Sequence, residues 1–141
     1  MSSTRGAATW VAVGIGGAIG TAARYGLELA LPHALHQVPW ATVIENTLGS
    51  FLLGVLVAAT ATRIPHWLRA GLGAGVLGSF TTFSTLMVAA VGMAQGGELA
   101  HGPGSIEPGA FWAAAGVLVG SLVLGVVAAL LGLLLGRRAA R

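Results

Sequence analysis

Gly78-Ser79-Phe80-Thr81-Thr82-Phe83-Ser84-Thr85 lies in the middle of a segment that is otherwise apolar enough to span a membrane. Lipid offers no hydrogen-bond partners, so backbone freed from a helix at membrane depth must be buried in protein or line a polar cavity. A single serine or threonine merely bends a helix by bonding to a carbonyl one turn earlier. Here the hydroxyl side chains cover every face of the helix, so some would meet lipid unless protein surrounds them. The stretch therefore predicts a deliberate helix break, of the kind where membrane proteins hold ions.

The composition is that of an integral membrane protein. Charged residues make up 8% of the 141 residues and hydrophobic residues 55%, whereas about 25% of a soluble domain is charged. One span needs about 20 apolar residues, so the length accommodates four spans and short loops. We predict a single transmembrane domain over 1–141, and the first apolar run is expected to be a retained span rather than a cleaved signal. The predicted spans cover residues 7–31, 40–61, 67–94 and 109–136.

The arginines predict the orientation in the membrane. With four spans, both termini and the middle loop share one side, and the first and third loops share the other. The first side carries six arginines, whereas the second has no Lys or Arg and contains Glu98 and Glu107. The positive-inside rule then places both termini in the cytoplasm. We expect the membrane to be the bacterial cytoplasmic (inner) membrane. No basic patch with interleaved aromatics is present, so nucleic-acid binding is not expected. The six arginines are Arg5, Arg63, Arg69, Arg137, Arg138 and Arg141.

Polar residues within spans are costly and are candidates for function. Arg24 and Glu28 stand four residues apart on one helix face and could pair, or Arg24 could extend to the lipid headgroups. Asn46 either hydrogen-bonds a neighbouring helix or serves a ligand. Glu45 beside it faces the bundle interior, points to interfacial water, or is protonated.

Catalytic chemistry finds no support in the sequence, so we do not expect an enzyme. There is no cysteine, which excludes disulfides and thiolate metal sites. No acid–base–nucleophile set converges within the spans, and no spacing suits zinc. The four histidines fall in loops or at span ends: His33, His36, His66 and His101.

Three collinear motifs carry a resemblance to a known family. They are GGAIGTAARY at 16–25, TVIENTLGSFLLG at 42–54 and GVLGSFTTFSTL at 75–86. In their order and spacing they cover essentially the whole chain, and the Thr-Thr-Phe-Ser-Thr core of the third is highly specific. The chain resembles the Fluc/CrcB family of fluoride channels.

The resemblance implies an all-α membrane protein with four transmembrane helices, the third broken, that forms an antiparallel dimer with two narrow fluoride pores. It implies a structural Na+ at the dimer centre, held by backbone carbonyls of Gly78 and Thr81. Asn46 would donate its amide to fluoride, and Phe83 would supply a ring edge. The other residues implied at the pore are Arg24 at the vestibule, Thr42, and a hydroxyl track of Ser84, Thr85 and Ser121.

Two positions depart from the family pattern. Leu86 stands where the family has a second phenylalanine, and leucine lacks the positive ring edge that meets an anion. Glu45 stands where the family has an apolar residue. A carboxylate there would repel fluoride unless it faces elsewhere or is protonated; otherwise it marks a pore that does not conduct.

The partner predicted for this chain is a homologous subunit. Family members that form antiparallel homodimers insert in both orientations and have balanced Lys and Arg, whereas this chain is one-sided. We therefore favour an antiparallel heterodimer with a homologue of opposite bias over pairing with itself. In the family each pore takes one Phe from each subunit, so Leu86 would damage one pore and leave the other intact.

Two other functions stay open at this stage. Small multidrug transporters are also four-span dimers, and Glu28 or Glu45 could be their proton-carrying glutamate. In that class, however, the glutamate lies mid-span in the first helix, and nothing there explains a broken third span. A non-conducting assembly subunit is the remaining alternative.

Overall fold

The computed structural model describes residues 2–34, 37–60, 64–95 and 108–139, and no strand occurs within those ranges. Four stretches are long and apolar enough to cross a membrane, which confirms the predicted four-span fold. Their ends differ from the predicted ones by three residues at most, at the end of the fourth span. Six residues used in the topology and histidine arguments, and the side chain of Arg5, lie outside the described part: His36, Arg63, Glu98, His101, Glu107 and Arg141.

The helices are arranged as two main pairs. The third span, His66–Ala94, divides into several helical pieces. α2 packs chiefly on α6, α1 packs on the first half of the third span, and α5 packs on α6. The elements are α1 (Ser2–Ala30), α2 (Trp40–Thr60), α3 (His66–Ala70), a π-helical segment (Gly71–Leu77), α4 (Gly78–Phe80), α5 (Phe83–Ala94) and α6 (Pro108–Ala139).

The outer surface is apolar, as a lipid-facing surface must be. Large hydrophobic side chains are exposed along α1, α2, α5 and α6, whereas the buried hydrophobic residues are mostly alanines. The tryptophans lie near span ends and are 44–77% exposed, as in an aromatic belt at the membrane interface. This exposed surface is stable only in a bilayer, so the chain is an integral membrane protein.

Glycines bring the helix backbones into direct contact. A Cβ added at Gly132 on α6 would overlap the carbonyl oxygen of Phe51 on α2. A Cβ at Gly20 on α1 would likewise overlap the carbonyl oxygen of Val76 in the π-helical segment. In lipid, where helices gain little from the hydrophobic effect, such close approach supplies van der Waals contact between them.

The π-helical segment is a feature that the sequence analysis did not predict. Its bonding is of the i to i+5 type, since the N–H of Gly78 reaches the carbonyl of Gly73. Gly71 and Gly75 are buried against Ala12 and Val13 of α1. Glycine is a weak helix former, so a glycine-rich turn adopts the wider spacing readily when the neighbouring helix lies this close.

The helix break is confirmed, and it is narrower than the polar stretch suggested. Only Thr81 (φ −84°, ψ 150°) and Thr82 (φ −148°, ψ 125°) are extended. Gly78 remains helical, and the second half of the span begins again at Phe83. The break therefore interrupts the helix for two residues at the middle of the third span.

Asn46 holds the break from the neighbouring span. Its Nδ2 donates to the carbonyl oxygen of Thr82 at 2.8 Å, and its Oδ1 accepts from the N–H of Thr82 at 2.8 Å. This reciprocal pairing also fixes the orientation of the amide, because the flipped group would oppose donor to donor. The Thr82 hydroxyl oxygen then accepts from the N–H of Thr85 at 3.3 Å and caps α5.

We predict that Gly132→Ala destabilises the chain because backbone at α2 would have to move, at a cost of about 1–3 kcal/mol. Thermal unfolding in detergent should show a fall of several degrees in Tm. Gly116→Ala on the same helix is the control, since a Cβ there meets nothing within 4 Å. Equal losses for both variants would contradict backbone contact at Gly132.

We predict that Asn46→Ala also lowers Tm, because it leaves the N–H and carbonyl of Thr82 unpaired at a cost of about 1–3 kcal/mol each. Thr47→Ala is the matched control on α2. The Thr47 hydroxyl donates only to the carbonyl of Val43 one turn earlier, at 2.7 Å, so its loss strands no backbone group. A stability of Asn46→Ala equal to that of Thr47→Ala would show that the pairing does not hold the break.

Candidate functional site

A groove of about 430 Å³ runs along the break, between α2 and α6. Its walls are mainly apolar, with a few polar groups among them. Those polar residues come from α2, the third span and α6: Asn46, Ser50, Thr81, Thr82 and Ser121. An apolar cleft with a few converging polar groups is the usual form of a ligand site.

Asn46 has one amide hydrogen left for a ligand. A carboxamide nitrogen carries two N–H groups, and only one of them is used on the carbonyl of Thr82. The second has no partner within the described ranges, and Asn46 lines the groove. The hydrogen bonds that hold the break therefore also fix the plane of a remaining donor at the groove wall.

Backbone carbonyls lose their helical partners at the break, and those of Gly78 and Thr81 are two of them. In a continuous helix the Gly78 carbonyl would accept from the N–H of Thr82, and the Thr81 carbonyl from the N–H of Thr85. Asn46 takes the first N–H and the Thr82 hydroxyl takes the second. Unwound carbonyls of this kind coordinate Na+ in broken membrane helices. Gly78 and Thr81 thus fit the sodium ion that the resemblance implies, and both line the groove.

The break also brings helix ends of opposite polarity together. The helical run that ends at Phe80 presents carbonyls, with partial negative charge, and α5 presents N–H groups, with partial positive charge, from Phe83. A cation is favoured at the first end and an anion at the second. Two extended residues separate them, so both signs of ion can be accommodated at neighbouring positions.

The predicted hydroxyl track is divided in this chain. Ser121 lines the groove and is 6% exposed, and its Oγ has no hydrogen-bond partner in the described structure. Ser84 and Thr85 do not line the groove, and their hydroxyls contact the Thr82 hydroxyl at 3.2 and 3.1 Å. Thr42 is fully buried and also lies away from the groove.

Phe83 and Leu86 occupy opposite situations one turn apart on α5. Both line the groove, but Phe83 is 60% exposed and Leu86 only 2%. Leu86 thus forms an aliphatic part of the wall, where the family pattern has a second ring. The only ring that this chain brings to the groove within the described residues projects outward, to a side that the chain itself leaves uncovered.

Arg24 and Glu28 form an ion pair of 3.8 Å from Nε to Oε1, which was one of the two alternatives that the sequence left open for Arg24. Both side chains are about one-third exposed, and neither residue lines the groove. Glu45 is fully buried and does not line the groove either. Its carboxyl therefore lies away from the groove wall, although Asn46 is the next residue.

Thr82 and Ser50 are two residues of the groove for which the sequence predicted no role. Thr82 caps α5 and receives Asn46, and a threonine directly before a helix start is the usual N-cap signal that could have found it. Ser50 lines the groove one helical turn after Asn46, and the i, i+4 spacing puts the two on one face. The sites gathered at the groove are thus Asn46, Gly78, Thr81, Phe83 and Ser121, with Ser50 and Thr82 added.

Comparison with known proteins gives consistent matches over nearly the whole chain. The chain is 38% identical over 133 residues to a protein from Thermus thermophilus named fluoride-specific ion channel FluC, covering 93% of this chain and 95% of that one. It is 42% identical over 126 residues to the protein of the same name from Marinobacter nauticus, covering 82% and 96%. It is 45% identical over 115 residues to fluoride-specific ion channel FluC 2 from Thermobifida fusca, covering 79% and 78%.

The family comparison agrees with these relatives. The sequence profile described as "CrcB-like protein, Camphor Resistance (CrcB)" matches residues 11–133, which include the break and most of each of the four spans. The chain belongs to the CrcB-like protein family.

Proposed function

We propose that this chain is a subunit of a fluoride-selective channel, not an enzyme, and that it lets fluoride leave the cell passively and so relieves fluoride toxicity. The observation that carries the proposal is the spare amide N–H of Asn46, held at the groove wall by its pairing with Thr82. The names of the relatives supply the identity of the anion.

The groove has the chemistry that a small hydrated anion requires. A pore must replace the hydration shell with several weak donors, so that the ion both enters and leaves. The donors on this chain would be the Asn46 amide, the Ser121 hydroxyl and the positive edge of the Phe83 ring. Na+ at the carbonyls of Gly78 and Thr81 would offset the charge of the anion.

The dimer completes this site in the proposal. Phe83 is exposed at the rim, so its ring is available to a second subunit. The one-sided arginines favour an antiparallel partner that is a homologue with the opposite bias, and both termini of this chain are then cytoplasmic in the inner membrane. Leu86 also favours a homologous partner over a second copy of this chain, because the partner would have to supply the missing ring.

The multidrug-type alternative has no support at the groove. Glu28 is partly exposed and paired with Arg24, and Glu45 lies away from the groove wall. A non-conducting assembly subunit is distinguished from a channel by experiment.

The direct test is fluoride efflux from liposomes, measured with a fluoride electrode. We expect little efflux with this chain alone and rapid efflux when it is reconstituted with a homologue whose arginines lie on the opposite side. Rapid efflux from the chain alone would refute the heterodimer. Absence of efflux in both samples, with the two chains assembled, would establish the non-conducting subunit, and flux of organic cations would establish the multidrug class.

A second test replaces the donor in the conducting assembly. Asn46→Asp keeps the size of the side chain but removes both N–H groups and adds negative charge, so we expect fluoride flux to fall about tenfold or more, as for loss of a hydrogen bond to a charged group. Ser50→Ala, one turn along the same groove wall, is the control and should reduce flux less. Unchanged flux in Asn46→Asp would exclude Asn46 as a ligand in any working pore.

A further inference from the structure

Glu45 is a buried acid that the proposed channel mechanism does not use. Its side chain is 0% exposed, and neither carboxyl oxygen has a hydrogen-bond partner among the described residues. The hydroxyl of Thr42, also 0% exposed, is without a partner too. The two residues are three apart on α2 and share one face of that helix. Buried polar atoms without partners are rare and usually indicate an ion or water that binds there.

The charges around Glu45 do not balance. Arg24 and Glu28 on α1 are the charged groups whose fields act on it, and they already form a pair with each other. α5 carries no ionisable residue, and the charged residues of α6 are Arg137 and Arg138 at its far end. His33, before α2, lines a separate cleft with Trp40 and Met93. The acid cluster, defined as Arg24, Glu28 and Glu45, therefore has two acids and one base.

This surplus of one negative charge lies next to the donor for fluoride. Glu45 directly precedes Asn46, and in a medium of low dielectric constant a charge acts over several ångströms without contact. An ionised carboxylate with no partner is also costly to keep in the protein interior. One further positive charge at the cluster would therefore lower the cost of the buried carboxylate and of an anion at the neighbouring groove wall.

We propose that the acid cluster binds one additional positive ion at Glu45 and Thr42, and that fluoride flux past Asn46 requires this ion. This inference rests on the proposed channel function. The ion is a proton or a small alkali cation such as Na+, since a carboxylate and a hydroxyl oxygen bind either one. The Na+ proposed at the carbonyls of Gly78 and Thr81 is a separate ion.

The experiment measures fluoride efflux from liposomes that contain the conducting assembly, over a pH range in which free fluoride stays ionised. A second series at constant pH replaces Na+ with N-methylglucamine at equal ionic strength. If the ion is a proton, efflux falls as pH rises, by about tenfold per pH unit above the midpoint. If the ion is Na+, efflux falls when Na+ is removed. In Glu45→Gln, efflux should no longer depend on the ion at Glu45, whether proton or Na+. Any Na+ dependence that remains is due to the separate Na+ proposed at the carbonyls of Gly78 and Thr81.

Two variants serve as controls for Glu45→Gln. Glu28→Gln also removes one acid of the cluster, but this acid is partly exposed and already paired with Arg24, so the wild-type dependence of efflux on the ion should persist. Thr42→Val removes the hydroxyl with little change of shape and should weaken the dependence of efflux on whichever ion binds there. A Glu45→Gln assembly with the wild-type dependence on both ions, or a wild type that depends on neither, would overturn the proposal.

Readouts without fluoride separate this inference from the channel function. For a proton, infrared difference spectra should show a protonated carboxyl band that titrates in the wild type and is absent in Glu45→Gln. For Na+, the ion should raise Tm more in the wild type than in the variant, because a bound ion stabilises the folded state. Either signal without any fluoride flux would refute the channel and retain the ion site. Flux that occurs without either signal would refute the ion site alone.

Discussion

The two hydrogen bonds between the Asn46 side chain and the Thr82 backbone are the interaction on which the functional part of this molecule depends. Extended backbone at membrane depth is unstable unless protein supplies its partners. Asn46 supplies a donor and an acceptor at once, at 2.8 Å each, across 36 residues of sequence. A carboxylate could accept but not donate, and a hydroxyl is too short to pair with both groups, so the amide is the side chain that suits this place.

The same pairing also determines which polar groups at the break are left for the proposed ions. By taking the N–H of Thr82, Asn46 frees the Gly78 carbonyl, and the Thr82 hydroxyl frees the Thr81 carbonyl in the same way. The helix dipoles on either side then end at a common point with opposite partial charges. Asn46 thus stabilises the interruption, frees one carbonyl oxygen and keeps one N–H for the proposed anion. Its structural role and its proposed role as a ligand are therefore compatible, although the sequence presented them as alternatives.

The sequence predicted the four spans and the break because both follow from local composition. It did not predict that only Thr81 and Thr82 are extended, since the hydroxyl run is longer than the interruption and the Asn46 pairing depends on packing between distant spans. The π-helical segment was missed because it results from the close contact of Gly71 and Gly75 with α1. The departures at Leu86 and Glu45 were visible in the sequence, but only the structure shows that Leu86 lines the groove and that Glu45 does not.

The two departures, Leu86 and Glu45, differ in their position relative to the groove. Leu86 places an aliphatic side chain in the groove wall, and Glu45 adds a buried acid outside the groove. Phe83, by contrast, is exposed at the rim. Leu86 thus changes the groove that this chain forms for itself, whereas the Phe83 ring lies on the surface that the proposed partner would cover. A chain with this division is suited to act beside a subunit that differs from it, because two copies would share the same deficiency.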